Sequence, residues 1–152
     1  VSFEIRAIDD IVGAMRANVA LGIEHYEELV GDKATVKFDP HLDRYTQLES
    51  LNMLVSLGAY LDDQLVGYSV NILGPHMDSQ HLLCAHNTML FLAKAHRQGS
   101  LGVKLIRATS AACKARGAQY MLWRARPLTT LDKLLQRMGF DELEIVYSEV
   151  LT

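Results

Sequence analysis

Leu82–Leu105 reads LLCAHNTMLFLAKAHRQGSLGVKL. It parses as a buried strand, a short basic loop with glycines, and the first turn of a helix. The first N–H groups of a helix have no partner inside the helix, and the aligned peptide dipoles favour negative charge there. Gly99, Ser100 and Gly102 keep side chains small, so an anion can approach the backbone. Arg97 before the turn, and Lys104 and Arg107 after it, add positive charge. The stretch therefore suits a phosphate-bearing ligand held mainly by backbone. A plain strand-to-helix turn, with glycines serving geometry alone, fits the same letters.

Working outward, Met53–Leu61 and Gln64–Leu73 are two β-type runs split by Asp62-Asp63, the pattern of a hairpin with a two-residue turn. Gly67 in the second run marks a bulge or a close backbone approach. Gly74-Pro75 is expected to close that strand. After the loop, Leu101, Leu105, Ala108 and Ala112 form one apolar stripe, so Leu101–Arg116 is expected to be helical, with Gly117 ending it. Gln119–Ala125 reads as a strand, stopped by Pro127. Thr129 or Thr130 caps a last helix to about Met138, and Glu142–Leu151 alternates as a last strand. Toward the N-terminus, Phe3–Ile8 alternates as a first strand, and Asp9 or Asp10 caps a helical stretch Ile11–Val30. Gly13 and Gly22 make that stretch one bent helix or two. Asp39-Pro40 opens a further helix to Asn52. The expected order is βααβββαβαβ. A hairpin followed by strand–helix–strand implies a mixed sheet with helices on both faces, an α+β or α/β fold.

Length and charge narrow the function. A chain of 152 residues suits one domain, 1–152, with a real core. A net charge of −3 gives no basic footprint for nucleic acid. The longest apolar run, near Leu82–Ala95, is interrupted by polar residues and too short to span a bilayer, so no membrane partner is expected. Cys84 and Cys113 have neither metal spacing nor a disulfide pattern, and the opening VSFEIRAIDD carries early acids without a signal-peptide pattern. A cytoplasmic protein with reduced thiols is expected. The scattered histidines have no carboxylates at ligand spacing, so no metal is expected.

Four segments together resemble the GNAT superfamily of N-acetyltransferases, in the right order. LGAYLDDQLVGYSV looks like that family's hairpin of second and third strands. MLFLAKAHRQGSLGVKLI looks like its cofactor motif, Arg/Gln-x-x-Gly-x-Gly/Ala between a strand and a helix, with Arg97 in the basic place, Ser100 in the first glycine place and Gly102 in the second. KARGAQYMLWRA and LDKLLQRMGF resemble the helix end with fifth strand and the ending of the fourth helix. The resemblance covers the last two thirds of the chain and extends to small phage-encoded members. It implies a GNAT-like acyl-CoA N-acyltransferase fold and acetyl transfer from acetyl-CoA to a primary amine, by direct attack in a ternary complex. The acceptor is a small amine, a protein lysine or an N-terminus. It implies that amides of Gln98, Gly99, Ser100, Leu101 and Gly102, with Arg97 and Lys104, hold the cofactor diphosphate. It also implies that backbone groups of Leu90, Phe91 and Leu92 pair with the pantetheine, and that an N–H near Phe91 or Leu92 serves the oxyanion. A homodimer is compatible with the sequence.

The catalytic half of the signature departs from the family. The Tyr often found four residues before Gly139 is Leu135, the Asn often found near the helix start is Leu128, and no acid stands at Thr88 or Met89. A catalytically silent acyl-CoA-binding or regulatory module on the same fold is therefore the alternative reading. A nucleotide-binding α/β domain fits less well, because Gly99–Gly102 is not GxGxxG and the loop comes late. His86 is the candidate base, since an unperturbed histidine titrates near about 6.5. The competing reading makes it a filler of a half-buried strand position. Tyr147 is a candidate displaced acid, or ordinary packing on the last strand. Asn87 is a candidate for substrate positioning, or for a strand-edge hydrogen bond. Glu49 belongs with Glu24, Glu27, Glu28, Asp39 and Asp43 in an acidic set that either attracts an amine or forms a solvated face.

Overall fold

The computed structural model of the chain describes residues 2–152. Alternation at Phe3, Ile5 and Ala7 becomes strand β1 (Phe3–Ala7). The Asp10 carboxylate accepts the Gly13 N–H at 2.9 Å and starts helix α1 (Ile11–Ala17). The stretch predicted as one bent helix or two is two. It breaks at Asn18 rather than at either glycine. Asn18 has φ −128° and ψ 40°, and its side-chain N–H donates to the Ala14 carbonyl at 2.8 Å. An asparagine amide competes with the helix's own hydrogen bonds, which suits it to this junction. Helix α2 (Val19–Leu29) follows, then α3 (Leu42–Ser50). The third helix starts two residues after the predicted Pro40, with His41 Nδ1 accepting the Arg44 N–H at 3.2 Å.

The sheet contains β2 (Leu54–Leu61), β3 (Gln64–His76), β4 (Ser79–Leu92) and β5 (Tyr120–Leu122), in spatial order β1-β2-β3-β4-β5. The first four strands are antiparallel and β5 runs parallel to β4. The predicted two-residue turn is present. Asp62 and Asp63 both take positive φ, 47° and 66°, the left-handed pair that matches the twist of a hairpin. Gly74-Pro75 does not end β3. The strand runs on to His76 with Pro75 opposite Leu83, beside a register shift, where a missing ladder N–H costs least. β4 accordingly starts at Ser79, and β5 is shorter than predicted. Gly67 is a close approach: an added Cβ would lie 2.7 Å from the Phe91 carbonyl oxygen.

Helix α4 (Leu101–Ala115) follows β4, and Gly117 ends it at φ 96°. It packs on one face of the sheet through Cys113 against Val55, Leu73 and Ala85, and through Leu101 against Ala59, Val66 and Leu92. On the other face Ile11 of α1 and Leu48 of α3 pack on Leu54 and Val70. These elements, through Leu122, form one compact unit. Trp123–Thr152 form a second.

Within the second unit, Thr129 Oγ1 accepts the Asp132 N–H and starts α5 (Thr130–Arg137), and Gly139 with φ 85° ends it. The predicted last strand is absent. Residues 141–152 are exposed and pair with no strand among the described residues. Alternation is a preference that becomes a strand only beside a neighbour. The order is thus βαααβββαβα, a mixed α+β fold with a five-stranded sheet.

Candidate active site

β4 leads into the basic loop, and its end is built to leave backbone groups free. The Ala93 N–H donates to the Val66 carbonyl at 2.8 Å. Antiparallel alternation from that rung turns the N–H and C=O of Phe91 and Met89 toward β3, and those of Leu90 and Leu92 away from it. β5 meets β4 only at Cys84, Ala85 and His86. Between Val70 and Asn71 the β3–β4 register shifts by one residue, and Thr88 is the extra residue, with its hydroxyl donating to the Val70 carbonyl at 3.0 Å. So Leu90 and Leu92 have outward backbone groups with no strand partner among the described residues. Of the three residues expected to pair with a pantetheine, Phe91 does not qualify, because its backbone belongs to the Tyr68 rung.

The loop beyond is exposed and carries few side chains. A short 3-10 turn, Lys94–His96, precedes Arg97. Gln98, Gly99 and Ser100 are exposed, and Gly99 has φ 96° with open space where a side chain would stand. Ser100 is the N-cap of α4, yet its side chain makes no capping hydrogen bond. The N–H groups of Leu101, Gly102 and Val103 therefore keep their donors. An added Cβ at Gly102 would meet only Leu92 Cδ2, at 4.0 Å, so packing does not demand a glycine there. Lys104 is exposed on the same first turn.

Arg97 is not a free charge on this loop. Its Nε donates to the Leu92 carbonyl at 2.8 Å, its Nη2 to Glu28 Oε2 at 2.6 Å, and its guanidinium carbon lies 5.3 Å from the Phe91 ring centre. It ties α2 to the end of β4. The Arg97 hydrogen bond holds the Glu28 carboxyl below its ordinary range. The Lys94 N–H makes a second tie, to Glu24 Oε1 at 3.3 Å.

Those ties bring together a cluster that sequence reasoning missed. His25 of α2 stacks on Phe91, ring centres 4.6 Å apart and 16° from parallel. Its Nδ1 lies 2.7 Å from the Tyr68 hydroxyl. Burial lowers the His25 pKa, partly opposed by Glu28 and reinforced by Arg97. Burial, with Tyr45 and Glu24 nearby, pushes the Tyr68 phenol up. The Tyr45 hydroxyl in turn reaches Met89 Sδ at 3.8 Å. The available signal was HYEEL at 25–29, which puts His25 and Glu28 one turn apart on one helix face.

The other expected residues have different positions. His86 is half-buried on β4, opposite Ile72 and beside Leu122. Tyr68 and Ile72 are four residues apart on β3, so His86 stands about 13 Å along the strand from the His25–Tyr68 rung. Asn87, the candidate for substrate positioning or for a strand-edge hydrogen bond, is turned inward. It is buried beneath α4, and its amide donates to Asn71 Oδ1 at 2.9 Å, the Met89 carbonyl at 3.1 Å and Ser69 Oγ at 3.3 Å, leaving no donor for a substrate. Glu49, from the acidic set expected to attract an amine or to form a solvated face, lies at the start of α1. Its carboxylate accepts the Ile11 N–H at 3.0 Å and so caps α1. The strand expected to carry Tyr147 does not form, and the side chain is 87% exposed. In the second unit Leu135 is buried in α5. Leu128 has φ 65°, a conformation that asparagine takes with less strain.

Solved structures share this architecture. An aminoglycoside acetyltransferase from an uncultured soil metagenomic sample superposes with a TM-score of 0.78 at 17% identity, over 100% of both chains. Ribosomal-protein-alanine N-acetyltransferase from Brucella melitensis biovar Abortus 2308 gives 0.71 at 14% identity, over 99% of this chain and 100% of that one. AAC(6')-Iy, in complex with the bisubstrate analogue CoA-S-monomethyl-acetylneamine, gives 0.65 at 20% identity, over 100% and 99%. No curated protein matches the chain by sequence. The profile of the Acetyltransferase (GNAT) family matches residues 23–140, across both units, and the chain therefore belongs to the GNAT family of N-acetyltransferases.

Proposed function

We propose that this chain acetylates a primary amine from acetyl-CoA by direct attack in a ternary complex, with residues 1–152 as a single GNAT-like acetyltransferase domain. Acetyl-CoA supplies the acetyl group as a thioester with a thiol leaving group. The balance is R–NH3+ plus acetyl-CoA giving the acetamide, free CoA thiol and one proton. The observation that carries the reading is the uncapped start of α4. The free N–H groups of Leu101, Gly102 and Val103, flanked by Gly99, suit a diphosphate, and Lys104 adds charge beside them. The outward N–H and C=O of Leu90 suit the amide-bearing pantetheine as an added strand, and the Leu92 N–H suits an oxyanion. The Leu92 carbonyl is already held by Arg97, so Arg97 works in this reading through Leu92 and Glu28 rather than on a phosphate.

Support for an amine acceptor comes from the neighbours, which are named for aminoglycosides and for the alanine of a ribosomal protein. Both are amines, and both small-molecule and protein acceptors remain within the class proposed here. The test is a thiol-release assay with acetyl-CoA and three amines: an aminoglycoside, a peptide with N-terminal alanine, and spermidine. Turnover with any of them supports the reading. Acetyl-CoA that binds without amine-dependent thiol release would instead make the chain a silent acyl-CoA-binding module.

A further inference from the structure

His25 is over-determined in position and under-used in hydrogen bonding. Its ring is clamped by the Phe91 stack on one side and the tilted Tyr68 ring at 5.6 Å on another. One nitrogen, Nδ1, is held by the Tyr68 hydroxyl at 2.7 Å. The other, Nε2, has no partner among the described residues, and it is not sealed from solvent. Phe91 lies between Leu90 and Leu92, the two residues whose backbone groups face outward. A clamped imidazole with one nitrogen held and one available is the arrangement a proton acceptor needs.

We propose that His25 is the general base for the acceptor amine, and that Tyr68 is its positioning residue. This rests on the acetyl-transfer reading above. In this assignment the imidazole proton sits on Nδ1 and is donated to the Tyr68 oxygen, which leaves the Nε2 lone pair free; the 2.7 Å contact itself serves either tautomer. In the proton transfer an N–H bond of R–NH3+ breaks and an Nε2–H bond forms. The imidazole becomes imidazolium, and the amine keeps the lone pair it needs to attack. The imidazolium then returns its proton to water through the same nitrogen. Burial keeps His25 neutral at neutral pH. The charges acting on it are Glu28 from α2 and Arg97 from the loop after β4; Glu24 and the Tyr45 phenol act on its partner Tyr68, and Lys94 acts on Glu28. Glu28 and Arg97 are paired with each other, so their opposite effects on the ring largely offset.

Two measurements test this. The first uses the free full chain with 15N-labelled histidine and needs no substrate. His25 should be neutral as the Nδ1–H tautomer, and Tyr68→Phe should shift it toward Nε2–H. An Nε2–H tautomer in the unsubstituted chain would overturn the proposal, because no lone pair would then face outward. The second uses whichever amine of the panel is turned over. His25→Gln should lower kcat/KM by about a hundredfold or more and remove the acid limb of its pH profile, with acetyl-CoA affinity unchanged. His86→Gln should keep that limb. A limb that survives in His25→Gln, or vanishes in His86→Gln instead, would overturn the assignment. Should His25→Gln not fold, or should no amine turn over, the tautomer of the unsubstituted chain decides alone. Failure of that chain to bind acetyl-CoA would count against the proposed function and leave the tautomer result standing, so the two failures are distinct.

Discussion

The two faces of the β3–β4 pair treat their polar groups in opposite ways. Toward α4, Ser69, Asn71 and Asn87 are buried and bonded to one another, and Asn71 also donates to the Val55 carbonyl at 3.0 Å. Toward α2, His25 and Tyr68 hold each other but leave the second imidazole nitrogen without a partner. The same contrast runs along the backbone, where Phe91 is paired into the sheet and Leu90 turns outward. A polar group satisfied by its own chain is architectural, because losing a partner costs its desolvation. One held on one side only is free to meet a ligand. The comparison teaches that polar residues on a single strand divide by their pairing, not by their type.

The division breaks first, if it breaks, at Gly102. Gly102→Val should weaken acetyl-CoA binding by about a hundredfold, roughly 2.7 kcal/mol. Folding stability should stay within about 1 kcal/mol, since the site has room for a side chain. Calorimetric titration and urea unfolding read the two quantities, and an unchanged affinity would remove α4's first turn from the site. Asn71→Leu should do the reverse. It strips Asn87 of an acceptor and should cost about 1–3 kcal/mol of stability, with cofactor affinity kept. A loss under about 0.5 kcal/mol would mean that the buried amides are not structural.

A smaller effect is expected from acid. Burial depresses the folded-state pKa of His25 below its ordinary 6.5, so the unfolded chain takes up the proton first. The stability this group contributes is complete above pH 6.5 and is lost as pH falls from there through the folded pKa. Glu28, also depressed, adds a second loss below its ordinary 4.5. Urea midpoints between about pH 7.5 and pH 5 should fall, and His25→Phe should flatten that first fall. If the slope is the same in His25→Phe, the ring does not titrate as a buried group. The smallest effect belongs to Arg97→Gln. Its pair with Glu28 is partly exposed, and its loss should cost about 0.2–1 kcal/mol, shrinking in high salt. A salt-independent loss would place the weight on the Leu92 carbonyl instead.

Local features were legible in the letters. Asp62-Asp63 marked the hairpin, Asp10 a helix start, and Gly117 and Gly139 helix ends, because each depends on a few adjacent backbone angles. Boundaries governed by one competing side chain were harder to see: Asn18, rather than a glycine, divides the first two helices. Glu49 illustrates the limit for site residues. Its acidic type suggested a cation, whereas its hydrogen bond from the Ile11 N–H, 38 residues away, is visible only in the fold. The alternation at 142–151 misled for the opposite reason, since a strand needs a neighbour that the pattern cannot specify.

The sequence by itself determined the mixed fold, the family, and the glycine loop ahead of α4. Each is written in contiguous residues whose spacing sets backbone geometry directly. Only the tertiary structure decided what Arg97, Asn87 and His25 do. Their partners, Glu28, Asn71 and Tyr68, lie 69, 16 and 43 residues away. Whether a side chain spends its hydrogen bonds inside the chain or keeps one for a ligand depends on which distant group folding brings beside it.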